Sequence, residues 1–322
     1  MKELIKEFRK YPKTHPLRTN IDELFTPEGD IKSENMPNHW MELNAYNMIG
    51  QALKTLQFYS PAGYKSMIGD KLKAKDKDEH NWHNFLSAMC ELAVMYSFII
   101  SSDQPDSFVY EDNLRKDNKK DVDFSIAIGK VVFHVEIKSG NMLKQQMEEH
   151  NAAKKDNQVV IADQRIMPLE LLEEIIPDAK LFGSLDNKIK DFLTDSLNKF
   201  NTDKTSEERN VLFICWDENI FQPCTALLSE HHSLLKEVQT DAIDYIVVSD
   251  LYRQMESMMY GYKNPVPGSS PFFIRFCNTK VVDNGFDKED EAFKILDGIV
   301  NGLEVADEAY IKTCPEMRFT IS

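Results

Sequence analysis

The chain lacks a CxxC pair. Its five cysteines, Cys90, Cys215, Cys224, Cys277 and Cys314, are scattered. That spacing excludes an ordinary thiolate zinc site. It suits buried free thiols in a reducing, cytoplasmic compartment. A basic excess is missing too: 38 Lys and Arg against 53 Asp and Glu leave a formal charge of -15. Nucleic-acid binders usually carry a basic footprint, so any such binding must rest on local patches or a bound metal. The opening stretch, MKELIKEFRKYPKTHP, has no apolar h-region, so no secretory signal is expected. The longest apolar stretch, Leu92–Ile100, is too short to span a bilayer, so no membrane partner is expected. No repeat or low-complexity tract occurs. The G-x-S-x-G elbow, the G-x-x-x-x-G-K-[ST] loop and the H-E-x-x-H helix are absent, which removes support for three common hydrolase chemistries.

What is present is ordinary for a soluble globular protein: 42% apolar and 28% charged residues over 322 positions, enough for one or two domains. Residues 1–38 are polar and broken by Pro12, Pro16, Pro27 and Pro37. His39–Ser60 carries Trp40, Leu43, Tyr46, Ile49, Leu53 and Leu56 at helical spacing. The run Lys71–His80 is densely charged and is expected as a solvated linker or helix start. Asn81–Ile100 predicts a long apolar helix. Further helices are expected over Asn141–Lys155, Leu169–Ile176, Asn187–Phe200 and Asp290–Val300. Strands are expected at Ser107–Tyr110, Val159–Ala162, Asn210–Trp216, Ile243–Ser249 and Phe272–Phe276. This order predicts an α/β layered fold with a mixed central sheet flanked by helices.

The most informative segment is Asp121–Lys138, DVDFSIAIGKVVFHVEIK. Strand side chains alternate between faces. Val122, Phe124, Ile126 and Ile128 would share one face with Val131, Phe133, Val135 and Ile137 across a tight Gly129-Lys130 turn. Asp121, Asp123, His134, Glu136 and Lys138 would share the other. Two carboxylates and an amine then gather where a divalent cation and a phosphate could sit. The bland alternative is a solvated hairpin face with a cross-strand ion pair, which is worth little.

Glu91 is the one Asp, Glu, Lys or Arg between Asn81 and Ser102. An isolated buried carboxylate is costly unless paired, protonated or bound to metal. The strand face could supply its partner through a cation.

Glu91 on a leading helix, Asp123 opening a hairpin and Glu136-Ile137-Lys138 on its second strand resemble the PD-(D/E)XK nuclease superfamily. The likeness covers residues 80–217. Val122 stands where that family usually has Pro, and Asp121 is a rival ligand. The resemblance implies a restriction-endonuclease-like core at 80–217. It leaves a mainly helical N-terminal extension at 1–79 and a C-terminal α/β region at 218–322 that continues the sheet or forms an interface. It implies Mg²⁺ or Mn²⁺ held by Asp123, Glu136 and the Ile137 carbonyl. Glu91 would hold a second ion or position water, and Lys138 would orient the attacking water and stabilise phosphate charge.

The function so implied is a metal-dependent endonuclease acting on DNA in preference to RNA, in bacterial restriction or antiviral defence. It would work as a homodimer or with a partner protein. The competing expectation is a catalytically inactive nuclease-fold subunit that binds or scaffolds within a protein complex. Lesser candidates are His134 beside the site, His80 and His83 as a metal pair, and Gln145 and Gln146 as substrate contacts. Lys144, Lys154 and Lys155 could form a phosphate patch, and Trp216-Asp217-Glu218 could border a cleft.

Overall fold

Apolar, β-branched runs fill both faces of a central sheet, which needs helices on either side. In the computed structural model, residues 2–11, 13, 16–32, 40–72, 79–102, 105–115, 120–140, 160–161, 180–181, 185–217, 220–228, 233–260, 279–300, 302–307 and 310 are described. The expected helices at Asn141–Lys155 and Leu169–Ile176 and the strand at Phe272–Phe276 lie outside them.

Among the described residues the chain is α/β with a mixed seven-stranded sheet. Its order is β1 (Ser107–Asp112), β2 (Val122–Ile128), β3 (Val131–Ser139), β6 (Glu208–Cys215), β7 (Tyr245–Ser249), β8 (Lys280–Val282) and β9 (Glu304–Ala306). The first three strands form an antiparallel meander, and β3, β6 and β7 run parallel. The sheet passes without a break beyond residue 217, because β7, β8 and β9 extend it. A separate two-stranded pair joins β4 (Val160–Ile161) to β5 (Lys180–Leu181). The Gly129-Lys130 turn closes the hairpin with Gly129 at φ +61°, as a two-residue turn with glycine first requires.

One face of the sheet, with Phe124, Ile126, Phe133, Val135, Phe213 and Val247, packs on α5 (Glu79–Ser101). The same core takes in α1 (Lys2–Phe8), α2 (Pro16–Leu24), α3 (Trp40–Tyr59), α9 (Leu251–Tyr260) and α10 (Glu291–Val300). Between α3 and α5 lie α4 (Pro61–Ser66) and a π-helical turn, Met67–Lys71. The other face, with Leu212, Ile214, Ile246 and Val248, is covered by α6 (Leu185–Leu197), α7 (Phe221–Leu228) and α8 (Leu234–Glu237).

Helix α5 is apolar on nearly every side because it is enclosed. Phe98 reaches Phe124, Phe133 and Phe213 with ring centroids 5.4, 5.6 and 6.0 Å away. Although Leu92–Ile100 alone is too short to span a bilayer, His83–Ser101 is long and apolar enough by length and composition. It is nonetheless a core helix, with 72% of its most apolar window buried.

Candidate functional site

The parallel register pairs Glu136 with Leu212 and Lys138 with Ile214, so both side chains point toward α6. That face is not a solvated hairpin surface. Glu136 is 1% exposed, and Ser125 and His134 are buried. Lys138 Nζ lies 2.8 Å from Glu136 Oε1 and also pairs with Asp195 of α6. Lys199, just past α6, donates to Glu136 Oε1 at 2.6 Å. Lys120 binds the other oxygen of Asp195 at 2.9 Å. Glu136 Oε2 is buried with no hydrogen-bond partner among the described residues.

Asp123 behaves differently from the expected alternation. Val122 packs into the α6-side core, whereas Phe124, two residues on, packs into the α5-side core. The strand therefore twists at Asp123. Its Oδ2 accepts the Ile137 backbone N–H at 2.7 Å, in the place a strand carbonyl would take. The carboxylate thus lies in the plane of the sheet, between β2 and β3, and not on one face. From there it acts electrostatically on acids on both sides. The Ile137 carbonyl leaves the strand along the same edge as its amide.

On the α5 side, Glu91 finds a partner that the charged-linker expectation for Lys71–His80 did not provide. Lys71 is no solvated linker residue. Its Nζ donates to Glu91 Oε1 and Oε2 at 2.7 and 2.9 Å and lies 3.2 Å from Glu111 Oε1. It also stands over the Tyr110 ring, 5.1 Å from the centroid. Tyr110 Oη donates to Glu91 Oε1 at 2.9 Å. Two backbone irregularities deliver these groups. The π turn is closed by Leu72 N–H to Met67 C=O at 2.7 Å. Glu111 sits in the left-handed region at φ +53°, an uncommon conformation for a residue with a side chain. The β1–β2 register pairs Tyr110 with Phe124 and Asp112 with Val122, so Glu111 faces Asp123.

Burial pushes the Glu91 carboxyl up to about 7, and Asp123 adds to the shift while Lys71 and Tyr110 oppose it. Glu136 is likewise pushed up to about 7 by burial and by Asp123, against the pull of Lys138 and Lys199. Burial works against the Lys71 ammonium, yet Glu91, Tyr110 and Asp123 outweigh it and hold the pKa above its ordinary value. Lys138 is held above its ordinary value by Glu136 and Asp195 in the same way, against desolvation. Desolvation also works against the Asp195 carboxylate, but Lys138 and Lys120 outweigh it and bring its pKa to about 2.

The Asp123 charge thus acts on Glu91 on one side and on Glu136 on the other, and Lys138 lies one face-repeat beyond Glu136. Among the described residues no three His, Cys, Asp or Glu stand together as a ready metal-binding group. Ammonium groups hold the carboxylates instead. The donor set still fits a hard cation chemically: carboxylate and carbonyl oxygens suit Mg²⁺ or Mn²⁺. Glu136 Oε2 has no hydrogen-bond partner among the described residues and could serve as a ligand.

The remaining candidates fall outside this gap. Asp121 accepts from Asn113 Nδ2 at 2.9 Å and ties down the loop before β2. His134 Nδ1 bonds Ser125 Oγ at 2.7 Å, and burial lowers its pKa. His83 Nδ1 meets Tyr252 Oη at 2.9 Å. Trp216 is buried, with Gly140 against its ring. Gln145, Gln146, Lys144, Lys154, Lys155 and Glu218, and the side chain of His80, lie outside the described residues. Lys71, Tyr110, Glu111, Asp195 and Lys199 were not legible as site residues, since each joins the site by a non-local contact. Comparison with known proteins returns no matching family model, no matching curated protein and no matching solved structure.

Proposed function

We propose that the gap between β2 and β3 is the active site of a divalent-metal-dependent nuclease, with DNA as the preferred substrate and Mg²⁺ or Mn²⁺ as the cofactor. The observation that carries this reading is the in-plane Asp123 carboxylate. Its charge acts on Glu136 on one face of the sheet and on Glu91 on the other, and Lys138 stands beside Glu136. A restriction-endonuclease-like core around this hairpin, and a role in restriction or antiviral defence, are parts of the same proposal.

Asp123, Glu136 and the Ile137 carbonyl would hold the ion, which when bound supplies Lewis-acid polarisation of a phosphoryl oxygen and a more acidic water. Lys138 exchanges its pairing with Asp195 for the substrate phosphate. Its ammonium then stabilises the charge that develops on the non-bridging oxygens and orients the attacking water. Lys199 leaves Glu136 for a neighbouring phosphate, and Lys120 contacts the strand at the mouth of the site. Asp195 keeps Lys138 charged and directed while no substrate is present. A two-fold dimer would set two such sites on opposite DNA strands.

The test is incubation of the purified chain with plasmid, linear duplex, single-stranded DNA and RNA, each with Mg²⁺, Mn²⁺ or EDTA. The expected result is cleavage of DNA that EDTA abolishes and that Lys138→Ala lowers by about 10²–10³-fold, the usual loss for a group that stabilises developing oxyanion charge. Full activity in Lys138→Ala, or no cleavage of any substrate with either metal, overturns the proposal. The second outcome favours a binding or scaffolding subunit.

A further inference from the structure

The acids of the site are divided between two places. On the α6 side Glu136 has one oxygen held by two lysines and one without a hydrogen-bond partner among the described residues. On the α5 side Glu91 and Glu111 hold the ammonium of Lys71, and the Asp123 charge acts on it from the plane of the sheet. The ammonium contacts both oxygens of Glu91 and one of Glu111. Acidic places on either side of one central carboxylate are an arrangement that can accommodate a pair of divalent ions. Here the second place is already occupied by a side chain of the protein itself.

We propose that Lys71 is a built-in cation that fills the second ion position, so that the site takes one divalent ion where its acids could hold two. The proposal rests on the β2–β3 gap being a hard-cation centre. Three features make the Lys71 position a constructed one. The π turn sets Lys71 at its last residue, directed at α5. The left-handed Glu111 turns its carboxylate toward the ammonium. Tyr110 covers the ammonium with its ring while bonding the same Glu91 oxygen. The Lys71 side chain is 26% exposed and that of Glu91 only 10%, so water screens the pair weakly.

The chemical consequence is a division of labour. Glu91 is a positioning residue that acts through Lys71. It fixes a permanent positive charge next to Asp123 and leaves that carboxylate free to share one ion with Glu136. A lysine supplies the charge of the second ion, but neither its ligand exchange nor its acidified water. The single ion and Lys138 then carry the hydrolytic step.

The experiment counts Mn²⁺ bound per full-length chain, by electron paramagnetic resonance of free Mn²⁺ during titration, with no substrate present. The variants are Lys71→Met, which removes the charge and keeps the length, and Lys71→Arg, which keeps the charge. Circular dichroism and thermal melting check that each is folded, and Lys71→Gln replaces Lys71→Met if the latter does not fold. The expected result is one Mn²⁺ for the wild type and Lys71→Arg, and two for the neutral variant. Two ions on the wild type, or one ion on the folded neutral variant, overturns the Lys71 proposal and leaves the hard-cation reading standing. No ion on any of the proteins overturns the hard-cation reading itself.

Discussion

At the scale of single residues, the site is a contest between buried carboxylates and the ammonium groups that hold them. Glu91 and Glu136 both have carboxyls pushed up to about 7, against an ordinary 4.5. The folded chain therefore keeps protons that the unfolded chain has released between those two values. The stability these protons contribute is fully present below about 4.5 and is lost as the pH rises through about 7. Asp195, lowered to about 2, titrates below that window and does not mask it. His134, lowered from its ordinary 6.5 by burial, works the other way within the window. The readout is therefore a comparison: melting temperature should fall less, or rise more, with increasing pH in Glu136→Gln than in the wild type. An unchanged slope in Glu136→Gln would show that Glu136 is ionised throughout.

Gly63 gives a second residue-scale prediction. A Cβ there would lie 2.6 Å from Tyr110 Cδ1 and 2.7 Å from Cγ. Gly to Ala in a helix ordinarily stabilises by up to about 1 kcal/mol, but overpacking costs about 1–3 kcal/mol. The ring belongs to a strand and cannot retreat without leaving Glu91. Gly63→Ala should therefore destabilise, as measured by urea denaturation, and a gain in stability would contradict the contact. The meeting of Glu136 and Lys138 on one face was legible in the sequence because strand alternation puts them on the same side. The in-plane turn of Asp123 was not, since alternation assumes a regular pleat and this strand twists at that residue. Lys71 was hidden because a lysine in a charged run looks the same in sequence whether water or a buried glutamate receives it.

At the scale of elements, the long helices, the central strands and the short β4, expected at Val159–Ala162 and found at Val160–Ile161, were legible, and the short β8 and β9 were not. The expectation of a helix at Asn81–Ile100 meets α5 at Glu79–Ser101, and that at Asn187–Phe200 meets α6 at Leu185–Leu197. Each carries enough apolar residues to fix a period. Strands β8 and β9 have three residues each, too few for any period, and are held by neighbours distant in sequence. Within α5, Phe98 joins the helix to three strands at once, two of them the strands that flank the site. Phe98→Ala should cost about 3–5 kcal/mol by loss of burial and cavity formation. Chemical denaturation checks it, and a loss below about 1 kcal/mol would mean that the core closes over the gap.

At the scale of the whole molecule, a net charge of -15 opposes a polyanionic substrate. Lys120, Lys138 and Lys199 gather on the α6 side of the site, where they offset that charge locally. If these three contact phosphates, log K for DNA should fall against log salt with a slope of roughly -3, at about -0.9 per phosphate neutralised. Fluorescence anisotropy with Ca²⁺ present measures it, and a slope near zero would remove the lysines from the interface. The α/β class was legible in the order of strand and helix patterns. The order of the strands was not, because it is set by packing between distant segments.

The central claim is that Asp123 and Glu136 share one hard cation across the β2–β3 gap. Crystals grown with Mn²⁺ and measured at a wavelength where manganese scatters anomalously test it most directly. The account predicts one anomalous peak bonded to oxygens of Asp123, Glu136 and Ile137, with Lys138 and Lys199 moved off Glu136 and Lys71 still on Glu91. No peak in the gap, with both lysines still bonded to Glu136, would contradict it.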